Sequence, residues 1–362
     1  MRDLTARSMG SHPPKSSLVE VDERGAFKRS ASSWRHRVTS EGPFKPELGR
    51  YHLYVSLACP WANRCLAFRK LKGLEHALEV HVVHPTWKRT KPEEEGPDGH
   101  SGWVFADPSK VFYDDYERTF NTDGCTLDTL NGCETVRALY DLACSREDEK
   151  DGIRSVKKFT VPILWDSKSG RIVNNESSDI CYMMDDVQGL GALSKQPRIA
   201  RLYPPELAAE MAELEQFIYH KINNGVYKCG LSTTQEAYEE ASTALYAALD
   251  RVNERLATSR YLMGDELTGI DVWLLMTLVR FDCVYVSYFK CTRKCIREYE
   301  HIWPYVRDVW QSYPEIAETI DFGHIRTHYF TSHTKLNPFA IIAAMPDMDL
   351  DAPHGRESMK GA

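Results

Sequence analysis

The 362-residue sequence predicts two domains in series, an α/β domain followed by an all-α domain. Three observations carry the prediction. Strand-like and helix-like runs alternate from Tyr51 to the helix that follows Glu176; apolar residues recur at helical spacing from Leu207 to Leu256; and Thr268-Gly269-Ile270-Asp271 opens the apolar run Val272 to Val279. The expected boundaries are an N-terminal extension over 1–45, an α/β domain over 46–195, a helical domain over 205–330 and a C-terminal tail over 331–362.

Residues 1–45 are polar and rich in Ser and Arg, with Phe27 and Trp34 as anchors, and predict a flexible start that becomes a strap over the first domain. Met1 to Glu20 lacks the apolar core of a secretory signal, and Asp3, Pro13 and Pro14 argue against an organelle presequence. Tyr51 to Leu57 reads as a strand, Arg64 to Leu71 as a helix and Leu78 to Val83 as a second strand, a βαβ beginning that favours a parallel pair. Pro162 to Trp165 and Arg171 to Val173 flank the turn-forming Asp166-Ser167-Lys168-Ser169-Gly170, as an antiparallel hairpin does. Between the second and third strands, residues 85–150 show no strong period, contain the acidic Glu93-Glu94-Glu95-Gly96-Pro97-Asp98-Gly99, and read as a large insertion. Strand-helix-strand, hairpin and a final helix is the order of a thioredoxin-like domain.

In the second half, Leu207, Met211, Leu214 and Ile218 mark one amphipathic helix, and Tyr238, Ala241, Leu245, Leu249, Val252 and Leu256 mark the next. Thr268 is expected to cap the Asp271 N–H while the Asp271 carboxylate reaches back, a capping box that starts the central helix of the bundle.

Composition narrows the function classes. The net charge of −7 supplies no global basic field for nucleic acid or an anionic membrane surface. No apolar run approaches the length of a membrane span. The ten cysteines show no paired CxxC spacing, and Cys291-Thr-Arg-Lys-Cys295 lacks a second pair, so neither a metal site nor a secreted disulfide framework is expected.

One cysteine stands apart. Cys59, in Cys59-Pro60-Trp61-Ala62, sits where a strand hands over to a helix, facing orphan N–H groups and the positive end of the helix dipole, which favour a thiolate. Pro60 suits the first helical turn. A dithiol site would place a second cysteine at position 62, but that residue is Ala62, and Cys65 lies further along the helix. A mixed disulfide at Cys59 must therefore await a thiol from solution, which in cytosol is glutathione. The alternative is that Cys59 is a small buried hydrophobe like most intracellular cysteines.

The motif Cys59-Pro60-Trp61-Ala62 resembles that of the glutathionyl-hydroquinone reductases, the xi class of glutathione transferases, which have an omega-like thiol site. So do Gly102-Trp103-Val104-Phe105, Val161 to Asp166, Asn175-Glu176-Ser177, Asn224 to Lys228, Arg280 to Tyr285, Phe289-Lys290-Cys291 and His328 to His333 through Asn337-Pro338. The resemblance spans about residues 25 to 340 and implies the glutathione transferase fold. It further implies that a cis Val161-Pro162 bond lets the Val161 backbone pair with the cysteinyl part of glutathione. Glu176 and Ser177 would hold the γ-glutamyl end, with simple helix capping by Ser177 as the alternative. Trp103 would be a lid on the tripeptide, having little else to pack on, and Lys158, or Lys157 in its stead, would meet a glutathione carboxylate. Tyr227 and Tyr285 would sit at the aromatic substrate. The sequence departs from the family at Tyr288, where a histidine is expected, and at Ala343-Ala344-Met345-Pro346, where a Gly-Pro ending is usual. These differences bear on substrate preference and tail docking.

The implied activity is glutathione-dependent reduction of glutathionyl-hydroquinones by a cytoplasmic homodimer, with glutathione as co-substrate and no metal. The alternatives are an omega-like monothiol transferase acting in deglutathionylation or dehydroascorbate reduction, and a non-catalytic interaction module on the same fold.

Overall fold

The computed structural model describes residues 21–91, 100–146 and 158–359. The first twenty residues, the acidic run Glu93 to Gly99, and Lys157 lie outside the described residues.

Strand β1 (Tyr51–Val55) is buried at every position, as befits a central strand covered on both faces. It leads into α1 (Pro60–Leu71) and then β2 (Leu78–Val82). After the long intervening segment, α2 (Val136–Arg146) precedes β3 (Ile163–Asp166), β4 (Arg171–Asn174) and α3 (Ser177–Asp185). The sheet order is β2-β1-β3-β4, with β2 parallel to β1 and β3 antiparallel to both of its neighbours. This is the thioredoxin-like order that the sequence predicts.

Residues 85–150 are not a featureless insertion. Residues 136–146 of this stretch form α2, which buries Val136, Leu139, Tyr140 and Ala143. Those positions have i, i+3, i+4, i+7 spacing, but the stripe is only two turns long and follows a polar, irregular stretch, so it stands out weakly. Upstream, Lys88–Arg89 pairs with Ser101–Gly102, and Phe112–Tyr113 pairs with Thr119–Phe120.

The second domain comprises α4 (Ala208–Ile218), α5 (Gly225–Leu231), α6 (Gln235–Leu256), α7 (Gly269–Arg280), α8 (Ile302–Ser312) and α9 (Phe322–Ser332), with short turns between them. The expected stripes face the core through Met211, Leu214 and Ile218 on α4, and Leu245, Leu249, Val252 and Leu256 on α6. Leu207, Tyr238 and Ala241 are only partly buried. Every residue of α7 is buried, and the helix opens with the expected capping box. The Asp271 carboxylate accepts from the Thr268 N–H, the Thr268 hydroxyl and the Leu262 N–H, each at 2.8 Å, and from the Tyr305 hydroxyl at 3.0 Å. One side chain thus ties α7 to the preceding loop and to α8. Two wide π turns, Tyr219–Asn223 before α5 and Phe281–Tyr285 after α7, interrupt the helices beside the interdomain cleft, as such turns often do at functional sites.

The strap spans both domains, not the first alone. Trp34 is fully buried, edge-on to Tyr140 at 5.2 Å, and its carbonyl accepts from the Asn175 N–H at 3.1 Å. At the other end the Gly25 carbonyl accepts from the Thr233 N–H at 3.0 Å. Gly25 has φ +80°, and a β-carbon there would meet the Thr233 hydroxyl at 2.6 Å, so the crossing needs glycine. The tail also docks, despite its departure from the family ending. Buried Arg356 donates to the carbonyls of Leu256, Ser259 and Arg260, and Arg326 donates to that of Ala343.

Asp271→Ala removes a buried acceptor and orphans the groups that donate to it. It is expected to lower stability by roughly 2–4 kcal/mol, read as a lower urea midpoint, with Asp271→Asn in between. An unchanged midpoint in Asp271→Ala would show that the capping box does not hold the bundle.

Candidate active site

The junction before α1 is fixed from both domains. The Ser56 carbonyl accepts from the Cys59 N–H at 3.2 Å, and the Ser56 hydroxyl accepts from the Ala58 N–H at 3.2 Å. From α7, the fully buried Arg280 donates to the carbonyls of Ala58 (3.1 Å) and Leu57 (3.2 Å) and to the Asn63 side chain (2.8 Å). Asn63 in turn donates to the Thr319 carbonyl at 2.8 Å. Cys59 is the N-cap of α1, with Pro60 at the first helical position. Its Sγ lies 3.6 Å from the carbonyl of Val161, which precedes a cis bond to Pro162.

Cys59 is half-buried at its surface, and burial around the sulfur outweighs every other influence on it, pushing the thiol above its ordinary pKa. The N–H groups of Ala62 and Trp61, followed by the charges of Arg280 and Arg29, pull it back down. The helix terminus therefore acts as the sequence predicts, but without ligand it is opposed by desolvation.

Cys59 opens into an interdomain cleft of about 1120 Å³, which is also lined by Trp103, Lys158, Val161, Pro162, Glu176, Ser177 and Tyr227. Eight of the nine residues singled out from sequence therefore share one space. Tyr285, the ninth, does not reach the wall. It is fully buried one layer behind, and its hydroxyl lies 3.1 Å from that of Tyr329, which lies 2.7 Å from that of Tyr227. Tyr329, within the His328 to His333 block, joins the two expected phenols and lines the cleft itself. Desolvation raises the pKa of all three phenols, so they remain protonated across neutral pH.

Trp103 has more to pack on than its sequence neighbours suggest. It is buried, stacks on His328 at 4.4 Å and meets Trp87 edge-on at 5.5 Å. It is thus a packed wall of the cleft. His328 is neutral, its pKa lowered to about 3 by burial, and its Nδ1 lies 2.9 Å from the Pro85 carbonyl. Tyr288, at the expected histidine position, packs edge-on to Phe330 at 5.0 Å.

At the head of α3 the N-cap is Glu176, not Ser177. The Glu176 carboxylate accepts from the Ser178 N–H (3.3 Å), the Ser178 hydroxyl (3.1 Å) and the Ser32 hydroxyl on the strap (2.9 Å). Arg29, also on the strap, donates to Asn224 at 2.8 Å and lies over the rings of Trp61 (4.9 Å) and Tyr227 (5.1 Å). Single-sequence patterns offer no signal for Arg29, because a lone arginine in a polar stretch has no period. Away from the cleft, donor atoms of His52, Glu79 and His81 lie within 4.8 Å of one another, and a 3.1 Å hydrogen bond between the two imidazoles accounts for their approach.

A cysteine at a helix start, a cis-proline carbonyl beside it and an acidic cap across the cleft invite comparison with glutathione enzymes. The model of the glutathione S-transferase N-terminal domain matches residues 58–187, and that of the C-terminal domain matches residues 235–321. The chain belongs to the glutathione transferase family. It is 42% identical over 342 residues to glutathionyl-hydroquinone reductase YqjG of Escherichia coli, covering 92% of this chain and 93% of that protein. The glutathione-bound structure of YqjG has a TM-score of 0.76 to this chain, covering 90% of this chain and 96% of that one. The glutathione S-transferase omega-like 2 of Schizosaccharomyces pombe is 42% identical over 326 residues, 89% of this chain and 94% of that one. The xi-class glutathione transferase of Phanerochaete chrysosporium has a TM-score of 0.78 at 39% identity, covering 92% of this chain and 96% of that one. This transferase fold, with its thiol between two domains, is the frame for the chemistry.

The direction of the Cys59 shift makes a prediction for the ligand-free transferase. A raised pKa means less thiolate at pH 7 than an ordinary cysteine has, so alkylation of Cys59 by iodoacetamide should still be accelerating at pH 9. A rate that levels off below pH 7 would mean that the helix N–H groups and Arg280 outweigh burial.

Proposed function

We propose that the protein reduces glutathionyl-hydroquinones to hydroquinones, with Cys59 as nucleophile and glutathione as co-substrate. The observation that carries this is the continuous path from Cys59 through one cleft to three linked phenols. A nucleophilic thiol alone serves any disulfide exchange; an aromatic carbon as leaving group also needs a proton.

Glutathione lies along α3 and the cis-proline loop. Glu176 meets its amino group, Ser177 and the helix N–H groups meet the γ-glutamyl carboxylate, and the Val161 backbone pairs with its cysteinyl part. Lys158 meets the glycyl carboxylate, while Trp103 closes one wall. The hydroquinone ring lies against Trp61 and Tyr227.

A proton from the phenol chain adds to the ring carbon that bears sulfur, giving the keto form as a ring hydroxyl loses its own proton. The Cys59 thiolate then attacks the glutathionyl sulfur. The S–S bond forms, the C–S bond breaks, and its electron pair restores the aromatic ring. A second glutathione, as thiolate, attacks the mixed disulfide and releases GSSG and the Cys59 thiolate. The sum is one conjugate and one glutathione giving hydroquinone and GSSG.

Tyr227 presents the proton, and Tyr285 supplies it through Tyr329. Three hydroxyls share two hydrogen bonds, so a chain donating from Tyr285 to Tyr329 to Tyr227 leaves one O–H free to point into the cleft. Among the described residues no helix is long and apolar enough to cross a membrane. We place the reaction in the cytoplasm, where glutathione is kept reduced, and carry over homodimeric assembly from the family.

Incubation with a glutathionyl-hydroquinone and little free glutathione should add one glutathione to Cys59 and release hydroquinone, read by intact mass. Cys59→Ser should show neither. Hydroquinone release by that variant at the parent rate would exclude the thiol mechanism.

The omega-like name of the fission-yeast relative favours one second reading, a general monothiol transferase on the same site. Tyr227→Phe and Tyr285→Phe separate the two. The reductase reading expects a loss of 10-fold or more with the aromatic conjugate and little change with a glutathionylated peptide; equal retention on both substrates would favour the general transferase.

A further inference from the structure

Beneath the head of α3 lies a cation to which the thiol chemistry assigns no part. Arg64, on α1, is buried, with its guanidinium 3.7 Å from the ring centre of Trp273 and 5.0 Å from that of Trp61. Its Nη2 donates to the Ser177 hydroxyl at 2.6 Å and lies 3.6 Å from a Glu176 carboxylate oxygen. Its Nε and Nη1 meet no acceptor among the described residues. Burying a charge with two unsatisfied donors is unfavourable, and an apolar side chain of similar size would fill the space between the tryptophans at less expense. Packing therefore does not account for an arginine here.

Hydrogen-bond chemistry does. A guanidinium only donates, so the Ser177 oxygen accepts from Arg64 and must direct its own proton elsewhere. Ser177 lines the cleft; Arg64 does not. Within the protein that proton reaches only the Glu176 Oε1, at 3.5 Å, a bond long and weak enough for a carboxylate in the cleft to replace, so the hydroxyl is available as a donor beside the N–H groups at the head of α3, with a positive charge behind it. We infer that Arg64 is a positioning residue for the γ-glutamyl carboxylate of glutathione: it sets Ser177 as a donor and backs it with charge from inside the protein. The inference rests on the glutathione site proposed above.

The test measures glutathione binding alone, by calorimetry, in a Cys59→Ser background. Arg64→Met should weaken binding 10-fold or more, and Arg64→Lys, a point charge without the planar fork, should recover part of the loss. If Arg64 works through Ser177, the Arg64→Met/Ser177→Ala double variant should bind about as weakly as the weaker of the two singles. In the parent background, kcat at saturating glutathione should fall much less than kcat/KM for glutathione, and the alkylation rate of Cys59 should not change.

Parent-like affinity in Arg64→Met, or losses that multiply fully in the double variant, would overturn the positioning role and leave the reductase reading intact. Should Arg64→Met fail to fold, Arg64→Lys decides: affinity equal to the parent would overturn the inference. A Cys59→Ser protein that binds no glutathione at all would overturn the site and the positioning role together.

Discussion

The structure turns on the guanidinium of Arg280. It leaves the end of α7, crosses the domain boundary and holds the carbonyls of Leu57 and Ala58, the two residues before Cys59. The cost of burying an arginine is offset when its donors meet well-placed oxygens, and here each nitrogen does so. The Cys59 sulfur of the first domain is thereby registered against the helix that leads to Tyr285 in the second. The same charge opposes the upward push of burial on Cys59, so one side chain fixes both the position of this thiol and part of its electrostatics. Asp271 at the opposite end of α7 secures the helix that carries this clamp.

Burial then divides the roles in the cleft. Desolvation disfavours charge on every group that it covers, which raises the Cys59 thiol and the three phenols and lowers His328 and His333. For the phenols and the histidines this fixes one protonation state across neutral pH. For Cys59 the opposing N–H groups and arginines leave a contest that a bound ligand can alter. Phenols that rest protonated beside a thiol whose ionisation is balanced are the pairing on which the proposed reductive removal of a thiol from an aromatic ring rests.

Much of this was legible in the sequence, and the failures have physical causes. Cys59, Val161-Pro162 and Glu176-Ser177 stand at strand and helix junctions, where local chemistry is constrained by orphan backbone groups, so sequence and structure agree there. The packing around Trp103 was missed because its partners, His328 and Trp87, are remote in the chain or hidden in an aperiodic segment. Tyr285 was placed one layer too far forward, since a motif carries residue identity but not depth. Arg29 and Arg64 act through contacts across the cleft and through the core, and no spacing rule encodes such contacts.

Charge completes the picture at a larger scale. The chain as a whole is acidic, yet among the described residues the cleft wall carries seven lysines and arginines against three acidic side chains. Four of those cations, Arg24, Lys28, Arg29 and Arg35, belong to the strap, which is anchored to the helical domain at Gly25 and to the sheet at Trp34. Glutathione and its conjugates carry net negative charge, and a concave, low-dielectric wall of opposite sign concentrates such ligands locally without making the protein generally adhesive to polyanions. The strap is therefore more than a cover. It brings a basic surface to a thiol site whose own domain contributes chiefly backbone N–H groups and one lysine, and it does so from a polar segment that has meaning only once both domains hold it in place.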